Sequence, residues 1–233
     1  MTKIPYSTAL IIGAGPGISA SVARALAAEG VKIGLAGRDV EKLVPLAKAI
    51  SAETFRADAT NAVAVAALFD HMEGKLGPLD VVLYNAAARV PGAIIDLDPK
   101  DVERVIAAST YGAFLVVQQA ARRMLPRRKG AILLTGASAS VKGYPRSSAF
   151  AMGMFGRRGL AQSAARELSP QGIHVAHFVI DGGVRSATRL DPADKPDSTL
   201  DPDAIAQSYL DVLRQPRSAW TWEIELRPWV ETF

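Results

Sequence analysis

Short apolar runs alternate along this chain with longer segments in which apolar residues recur at helical spacing. The apolar runs, each of strand length, lie at 7–12, 31–36, 53–57, 79–84, 130–135 and 173–180. The helix-length segments between them lie at 17–29, 39–50, 61–74, 99–125 and 147–169. Unbroken apolar runs are typical of strands buried on both faces. The pattern therefore predicts an α/β fold, a doubly wound parallel sheet with helices on both faces.

Turn and cap residues between these runs agree with the prediction in most places. Asp39 can cap the second helix, and Pro99 in "DPKD" suits a first helical turn. Pro45 conflicts with the pattern, because it falls inside the second predicted helix, and we expect it to kink that helix. The segment 191–203, "DPADKPDSTLDPD", predicts a mobile loop rather than a linker, because only about one helix and one strand follow it. We expect residues 1–233 to form a single domain.

The composition is that of an ordinary globular protein, with 49% apolar and 21% charged residues. The chain has no cysteine, which excludes disulfides and thiolate metal sites, and we expect no metal. The first residues, "MTKIPYSTALIIGAG", contain only a short apolar run that leads into glycines, unlike a signal peptide or a membrane-spanning helix. We therefore expect a cytoplasmic protein that does not act at a membrane.

A basic cluster, "RRMLPRRKG" at 122–130, stands out from the modest net charge of +4. Basic residues near a helix C-terminus complement the helix dipole and keep the surface hydrated. A nucleic-acid patch is the alternative, but no nucleic-acid-binding motif accompanies the cluster. We expect no nucleic-acid partner.

Glycines follow the first predicted strand and precede the first predicted helix in "STALIIGAGPGISA". Glycines in this context let the backbone approach a pyrophosphate, whose charge then lies at a helix N-terminus. The spacing G-x-x-x-G fits Gly13 and Gly17, whereas G-x-G-x-x-G fails at Ile18. On this motif alone, a glycine turn with no ligand stays open as an alternative.

Four further segments resemble, in order, the motifs of the short-chain dehydrogenase/reductase family. They are "ADAT" (57–60), "LYNAA" (83–87), "STYGAFL" (109–115) and "GIHVAHFVIDGGV" (172–184). They are similar to the family's D-x-T, N-N-A-G and N-x-x-G segments and to its sixth strand with a P-G turn. Together with the glycine loop they cover most of the chain, and they imply a Rossmann-type fold.

The chain departs from the family pattern at several motif positions. Ser19 stands in place of the third glycine, Tyr84 of the first Asn in N-N-A-G, Ala87 of its Gly, and Asp181 of the Pro in P-G. The resemblance still implies a dinucleotide site, with Asp58 contacting the adenine. The residues that it assigns to the cofactor are Gly13, Pro16, Gly17, Ile18, Arg38, Asp58, Ala59, Asn85, Ala86, Ala87 and Gly182.

The residues after the second strand, "AGRDVEKL", bear on the choice of cofactor. Gly37 occupies the place where family members that use NAD often have an Asp, and Arg38 follows it. A guanidinium suits a 2′-phosphate because its donors form a fixed fork and its charge is permanent. We predict NADP(H) over NAD(H). The alternative is that Arg38 is a solvated charge before the helix.

The family's proton relay is largely replaced in this sequence. In the family a Tyr transfers the carbonyl proton, a Lys four residues later lowers its pKa and holds the nicotinamide ribose, a Ser orients the substrate and an Asn supports a water. By resemblance these positions fall on Phe150, Met154, Ser138 and Ser109, and the match to Ser138 requires a gap of one residue. Phe has no proton to transfer and Met cannot tune an acid. Apolar pairs at this spacing are also common in ordinary core packing.

Other side chains could supply part of the lost chemistry. Tyr144, Lys142 and Arg146 lie in the loop after the fifth strand, and Arg157 lies seven residues after Phe150 on about the same helix face. Arg157 could stabilise an oxyanion but could not donate a proton. We expect all four to be solvated, Arg157 on the helix surface. Ser138 could also serve only to satisfy local backbone groups.

The segment 201–233 predicts a helix, a turn and a last strand with three Trp between 220 and 229. Such aromatic area can anchor an interface or pack on its own sheet. By resemblance we expect a homodimer or homotetramer that acts on a small molecule. Three hypotheses follow: an NADP(H)-dependent oxidoreductase with a substituted proton relay and an unknown small carbonyl, alcohol or alkene substrate; a non-catalytic NADP(H)-binding sensor or partner subunit; and a scaffold that binds no nucleotide.

Overall fold

A computed structural model describes residues 3–231, which form one parallel sheet of seven strands. The strands are β1 Thr8–Ile12, β2 Lys32–Gly37, β3 Glu53–Arg56, β4 Val81–Tyr84, β5 Gly130–Thr135, β6 Ile173–Ile180 and β7 Glu223–Leu226. Their order in the sheet is β3-β2-β1-β4-β5-β6-β7. The chain therefore runs outward from β1 in one direction and from β4 in the other, which confirms the predicted doubly wound fold.

Helices cover both faces of this sheet. They are α1 Ile18–Ala28, α2 Val44–Ile50, α3 Ala62–Leu76, α4 Pro99–Ile106, α5 Gly112–Met124, α6 Ser148–Leu168 and α7 Pro202–Arg214. One apolar core lies under α3, α5 and α6, and the other under α1, α2 and α7. Strands β1, β4, β5 and β6 are buried along their whole length, as their unbroken apolar sequences require.

Two predicted helices differ from the observed ones. The segment predicted as one helix at 99–125 contains a π-helical turn, Ala107–Tyr111, between α4 and α5. The helix predicted at 39–50 begins only at Val44, after a 3₁₀ turn at Glu41–Leu43. Pro45 therefore lies in the first turn of α2, where its missing N–H costs no hydrogen bond, and the predicted kink is wrong.

Side chains cap three helix N-termini but not the first. Asn61 accepts from the Ala64 amide (2.9 Å) at α3, Asp98 from the Lys100 amide (2.8 Å) at α4, and Asp201 from the Asp203 amide (2.8 Å) at α7. The residue before α1 is Gly17, and no side chain caps that helix. The first amides of α1 thus remain available to another acceptor.

Charged side chains tie the predicted loop and the basic cluster to the rest of the molecule. Asp191 accepts hydrogen bonds from Thr199 and pairs with Arg185 (3.4 Å), which holds the loop 191–203 against the segment that follows β6. In the basic cluster, Arg123 pairs with Glu73 (3.1 Å), and Arg127 pairs with the buried carboxylate of Asp80 (2.8 Å), just before β4. No helix within residues 3–231 is both long and apolar enough to span a membrane.

Candidate active site

The chain reverses its direction of winding between β1 and β4, and the crevice at the carboxyl ends of these strands is where open α/β sheets bind ligands. Gly13 leaves β1 with φ +78° and lies directly against Ala86, so that an added Cβ would stand 2.3 Å from the Ala86 amide nitrogen. The Asn85 amide donates to the Ile12 carbonyl (2.8 Å) and joins the two strand ends. Only glycine fits at position 13.

The rest of the glycine loop is open rather than packed. Gly15 and Gly17, the latter with φ +85°, have no atom within 4 Å of a built Cβ. Ser19 is 1% exposed, donates to the Gly13 carbonyl (3.2 Å) and accepts from Asn85 Nδ2 (2.7 Å). The serine in place of the third glycine therefore braces the loop from below and leaves its upper surface free.

The geometry at the start of α1 fits an anionic group. Its amides have no side-chain cap and its first turn contains no acid. A cavity of about 400 Å³ opens beside it. The lining comes from Pro16, Gly17, Ile18 and Asn85 on one side, and from Val184, Arg185, Ser186, Thr188 and Arg189 on the other. The residues present thus fit the pyrophosphate of a dinucleotide.

Sequence reasoning missed the second side of this cavity. The segment that follows β6 places two cations, Arg185 and Arg189, and two hydroxyl groups, Ser186 and Thr188, on this side. Cations and hydroxyls at the carboxyl end of a buried strand were a signal that the sequence offered. Gly182 begins this segment, and a Cβ there would stand 2.8 Å from Cδ of Pro228.

The other half of the crevice, above β2 and β3, carries Arg38 and Asp58. Arg38 is exposed, and its guanidinium has no ion pair in the described part of the chain. Asp58 accepts from the Thr60 amide (2.9 Å) and hydroxyl (2.8 Å), and these bonds lower the pKa of its carboxyl group, with Arg38 contributing. Ala59 is buried behind them. The predicted adenosine-side residues therefore lie together.

Apolar side chains occupy the two central relay positions. Met154 is 2% exposed, and Phe150 is partly buried with the Arg89 guanidinium 5.3 Å from its ring centroid. Neither side chain can transfer a proton. Ala87, also predicted at this edge, is exposed, and so are Tyr144 and Arg146. Those two loop residues match the expectation of solvated side chains.

Ser138 follows β5 and faces a buried carboxylate. Asp181 is 2% exposed, and its carboxylate binds Lys142 Nζ at 2.8 Å and Arg227 at 3.4 Å. Burial raises the pKa of Asp181, but interactions with Lys142, the Ser138 hydroxyl and Arg227 outweigh burial and lower it. Lys142 is thus held in an ion pair rather than simply solvated as expected. Ser138, Asp181 and Lys142 form a connected polar group.

Ser109 lies in the π-helical turn and is fully buried. Its Oγ accepts weakly from the Ala88 amide (3.5 Å), and Gly153 of α6 packs against its Cβ. Gly112 follows, where a Cβ would stand 2.5 Å from the Tyr84 hydroxyl. π-helical turns recur at functional sites. Here the turn brings Ser109 beside α6.

Arg157 is not on the helix surface, and that expectation is wrong. Its side chain is 1% exposed. Nε donates to the Ser109 carbonyl (2.7 Å), one terminal nitrogen donates to the Thr135 carbonyl (2.6 Å) and the other to the Ala86 carbonyl. The spacing of seven residues correctly predicts the face of α6 but carries no information on depth. Arg157 instead joins the ends of β4 and β5 to the π-helical turn.

Comparison with known proteins identifies the family of this chain. A family model described as short chain dehydrogenase matches residues 7–195. The chain belongs to the short-chain dehydrogenase family. It is therefore an oxidoreductase by type, with a Rossmann fold of the kind that binds NAD(P).

Individual relatives match nearly the whole length of this short-chain dehydrogenase. An uncharacterised oxidoreductase of Staphylococcus aureus is 28% identical over 234 residues, 98% of this chain and 100% of that protein. The crystal structure of a short-chain dehydrogenase from Rhodopseudomonas palustris is 36% identical with TM-score 0.82 and covers 96% of this chain and 99% of its own. A metagenomic short-chain oxidoreductase in complex with NADP, 24% identical, has the same fold with TM-score 0.84, over 99% of this chain and 100% of its own.

Proposed function

We propose that this short-chain dehydrogenase is an NADP(H)-dependent oxidoreductase with a substituted proton relay. Its substrate is a small carbonyl compound, alcohol or activated alkene. The observation that carries the cofactor assignment is the open glycine loop at the uncapped start of α1, with an arginine just after β2 that forms no salt bridge with any described residue. A related fold that was solved with NADP supports the same cofactor class. We also propose that residues 1–233 form one domain.

The cofactor would be held by the residues that line the crevice. Gly17 and Ile18 would present backbone amides to the pyrophosphate, Gly13 and Pro16 would shape the loop around it, and Asn85, Ala86, Ala87 and Gly182 would surround the nicotinamide half. Asp58 and Ala59 receive the adenine. Arg38 would bind the 2′-phosphate, because its guanidinium is exposed and forms no salt bridge with a carboxylate of the described residues. Where NAD-binding sites hold an acid for the ribose hydroxyl, this chain has Gly37.

When bound, NADPH supplies the hydride, and the chain must then provide a proton to the substrate oxygen. Ser138 offers the hydroxyl that the Phe150 position lacks. In the reducing direction Ser138 would give its proton to the substrate oxygen while a proton from the Lys142 ammonium passes through the Asp181 carboxylate to Ser138 Oγ, so that Asp181 is ionised before and after the step. Lys142 is 37% exposed and regains its proton from water.

A second function remains, a non-catalytic NADP(H)-binding sensor or partner subunit. The observation that favours it is the packing at the relay positions, where Met154 is buried and Arg89 stacks on Phe150. Such a protein binds NADPH without turning over any carbonyl compound. Both functions use the same cofactor site, and only an assay of substrate turnover distinguishes them.

Calorimetric titration with NADPH and NADH tests the cofactor assignment. Wild type is expected to bind NADPH at least tenfold more tightly than NADH, since charge-assisted hydrogen bonds to the 2′-phosphate contribute about 1.5–3 kcal/mol. Arg38→Ala should remove most of this preference. Lys42→Ala is the matched control, because Lys42 is an exposed cation nearby that pairs with Asp39 (2.9 Å).

The outcomes separate the candidate functions. Equal losses of NADPH and NADH affinity in Arg38→Ala would contradict the NADP(H) assignment, and silence with both cofactors would contradict oxidoreductase and sensor alike. A panel of aldehydes, ketones, quinones and activated alkenes then follows NADPH absorbance. Tight NADPH binding with no turnover across the panel favours the sensor, whereas turnover of any member supports the enzyme.

A further inference from the structure

Arg157 is a buried cation for which the described residues provide no carboxylate partner. Its guanidinium is 1% exposed, and its hydrogen bonds go to the carbonyls of Ser109, Thr135 and Ala86. The Tyr84 ring lies 4.8 Å from it. Buried charges in proteins are usually paired with an opposite charge, so an arginine bonded only to carbonyl dipoles leaves a net positive charge inside the molecule.

The groups around Arg157 do not cancel this charge at neutral pH. Burial lowers the pKa of Arg157 to about 10, which still leaves the guanidinium protonated. Burial raises the pKa of Tyr84 to about 12 and also raises that of Tyr209, so that both phenols stay neutral. Burial lowers the pKa of His177 to about 4, which keeps its imidazole neutral. The Asp181 carboxylate after β6 is itself held by Lys142 and Arg227.

The location of the charge connects it to one half of the crevice. Ala86 follows β4, Thr135 ends β5 and Ser109 lies in the π-helical turn beside them. These segments surround the crevice on the β4–β5 side of the switch point, opposite the adenosine side at β2 and β3. In a doubly wound fold the two halves of a dinucleotide lie on the two sides of that point. The nicotinamide half is therefore the part nearest to Arg157.

We propose that Arg157 sets the preference of this site for the reduced over the oxidised cofactor. This inference rests on the proposed NADP(H) site. The oxidised nicotinamide ring carries a positive charge and the reduced ring carries none, while the phosphates are the same in both. A fixed charge in a low-dielectric interior disfavours the oxidised ring and leaves the reduced ring unaffected. Arg157 acts through its field and its hold on the backbone, not by touching the substrate.

Two arginines closer to the surface carry fields that are offset or screened. Arg185 is offset by Asp191, Asp197 and Asp201, which lie 3.4 to 3.8 Å from it. Arg89 is exposed, so that water and salt weaken its field. Salt barely screens a buried charge, and this difference gives the proposal a test in the wild-type protein alone.

The experiment is a fluorescence and calorimetric titration of the full chain with NADPH and with NADP⁺. Wild type is expected to have a Kd for NADP⁺ at least tenfold above that for NADPH. Arg157→Met removes the charge and should lower this Kd ratio roughly tenfold, the size expected for one charge across several ångströms of protein. Arg157→Lys keeps the charge and should keep most of the ratio. Arg38→Ala is the matched control, which weakens both forms equally and leaves the ratio unchanged.

The outcomes are distinct. If wild type binds neither form, the proposed function itself fails. If both forms bind and Arg157→Met leaves the Kd ratio unchanged, this inference fails alone. If Arg157→Met does not fold, the wild-type ratio measured from about 0.05 M to about 0.5 M salt decides, because a ratio carried by a buried charge persists. A ratio that collapses over this range assigns the preference to exposed arginines and overturns the proposal.

Discussion

Asp181 shows how one substitution changes the chemistry open to its neighbours. A proline at this position could carry no charge, whereas the carboxylate attracts Lys142 and Arg227 and accepts from Ser138. A buried acid stays ionised only if such partners offset its burial. The substitution at the end of β6 therefore converts a lone serine into the first member of a polar chain that reaches solvent at Lys142.

Replacing this acid tests the relay. Asp181→Asn keeps the size of the side chain but breaks proton transfer between Lys142 and Ser138, and we expect kcat on a carbonyl that wild type reduces to fall by about 10²-fold. NADPH affinity should change little. Turnover and calorimetry measure the two quantities.

A second buried carboxylate provides the control. Asp80 is 4% exposed and pairs with Arg127 (2.8 Å) and Lys129 (3.5 Å) at the amino-terminal ends of the strands, away from the crevice. Asp80→Asn should match the stability loss of Asp181→Asn without the loss of kcat. Equal losses of kcat in both variants would assign the effect to general destabilisation and remove the relay.

Single residues differ in how far the sequence predicts them. Gly13 and Gly17 were predictable because a strand, a tight turn and a helix in succession require backbone freedom at fixed positions. Asp58 was predictable because its bonds to Thr60 are local. Arg157 was not, since its three carbonyl partners come from segments that are 22 to 71 positions away in the chain. The partners of Asp181 are unpredictable for the same reason.

Whole elements follow the sequence more closely than site residues do. Six predicted strands lie within about two residues of the observed ones, because a strand buried on both faces requires an unbroken apolar run. The π-helical turn at Ala107–Tyr111 was not visible, because one extra residue in a helix turn leaves the apolar period nearly unchanged. It moves Ser109 toward α6 and so affects the site more than the fold.

The last strand is attached to the sheet by a buried polar group as well as by its backbone. On β7, Glu223 binds Arg158 of α6 (2.6 Å) and Nδ1 of His177 on β6 (3.0 Å). His177 is fully buried, and burial is the main cause that lowers its pKa from 6.5 to about 4. The neutral imidazole is thus the form that the folded state stabilises.

Acid should therefore destabilise the protein within a defined pH range. The unfolded state binds a proton at His177 below about pH 6.5 and the folded state only below about pH 4, so the free energy of unfolding falls by roughly 3 kcal/mol as pH decreases between these values. Urea denaturation at several pH values measures this slope. His177→Gln should flatten it between about pH 6.5 and about pH 5, above the ordinary pKa of 4.5 at which Glu223 titrates in the unfolded state. An equally steep slope in His177→Gln would place the acid sensitivity elsewhere.

At the scale of the molecule, the aromatic C-terminal segment mostly packs on its own sheet. Trp220 stacks on His174 with ring centroids 4.6 Å apart, and Trp222 packs against Arg158. Trp229 remains 81% exposed. Of the two alternatives that the sequence left open, packing thus accounts for two tryptophans, and only Trp229 is available to an interface.

A larger apolar surface lies on the helices. Tyr111 ends the π-helical turn and Phe114 lies in the first turn of α5, and both, like Met152 and Phe155 on α6, are 42 to 56% exposed. The spacing of three residues in each pair places its members on one helix face, and the two helices pack against each other. Exposed apolar side chains grouped on two packed helices in this way mark protein interfaces more often than free surface.

We expect this surface to hold the copies of a homodimer or homotetramer together. Phe155→Glu places a charge within it, and burying that charge against a second copy costs several kcal/mol, enough to raise the dissociation constant at least a hundredfold. Light scattering after size exclusion should show an oligomer for wild type and a monomer for Phe155→Glu at micromolar concentration. Ile95→Glu is the control, because Ile95 is 89% exposed outside this surface and should leave the oligomer intact. An oligomer that survives Phe155→Glu but dissociates in Trp229→Glu would move the interface to the C-terminal segment, where the Trp229 indole is 81% exposed.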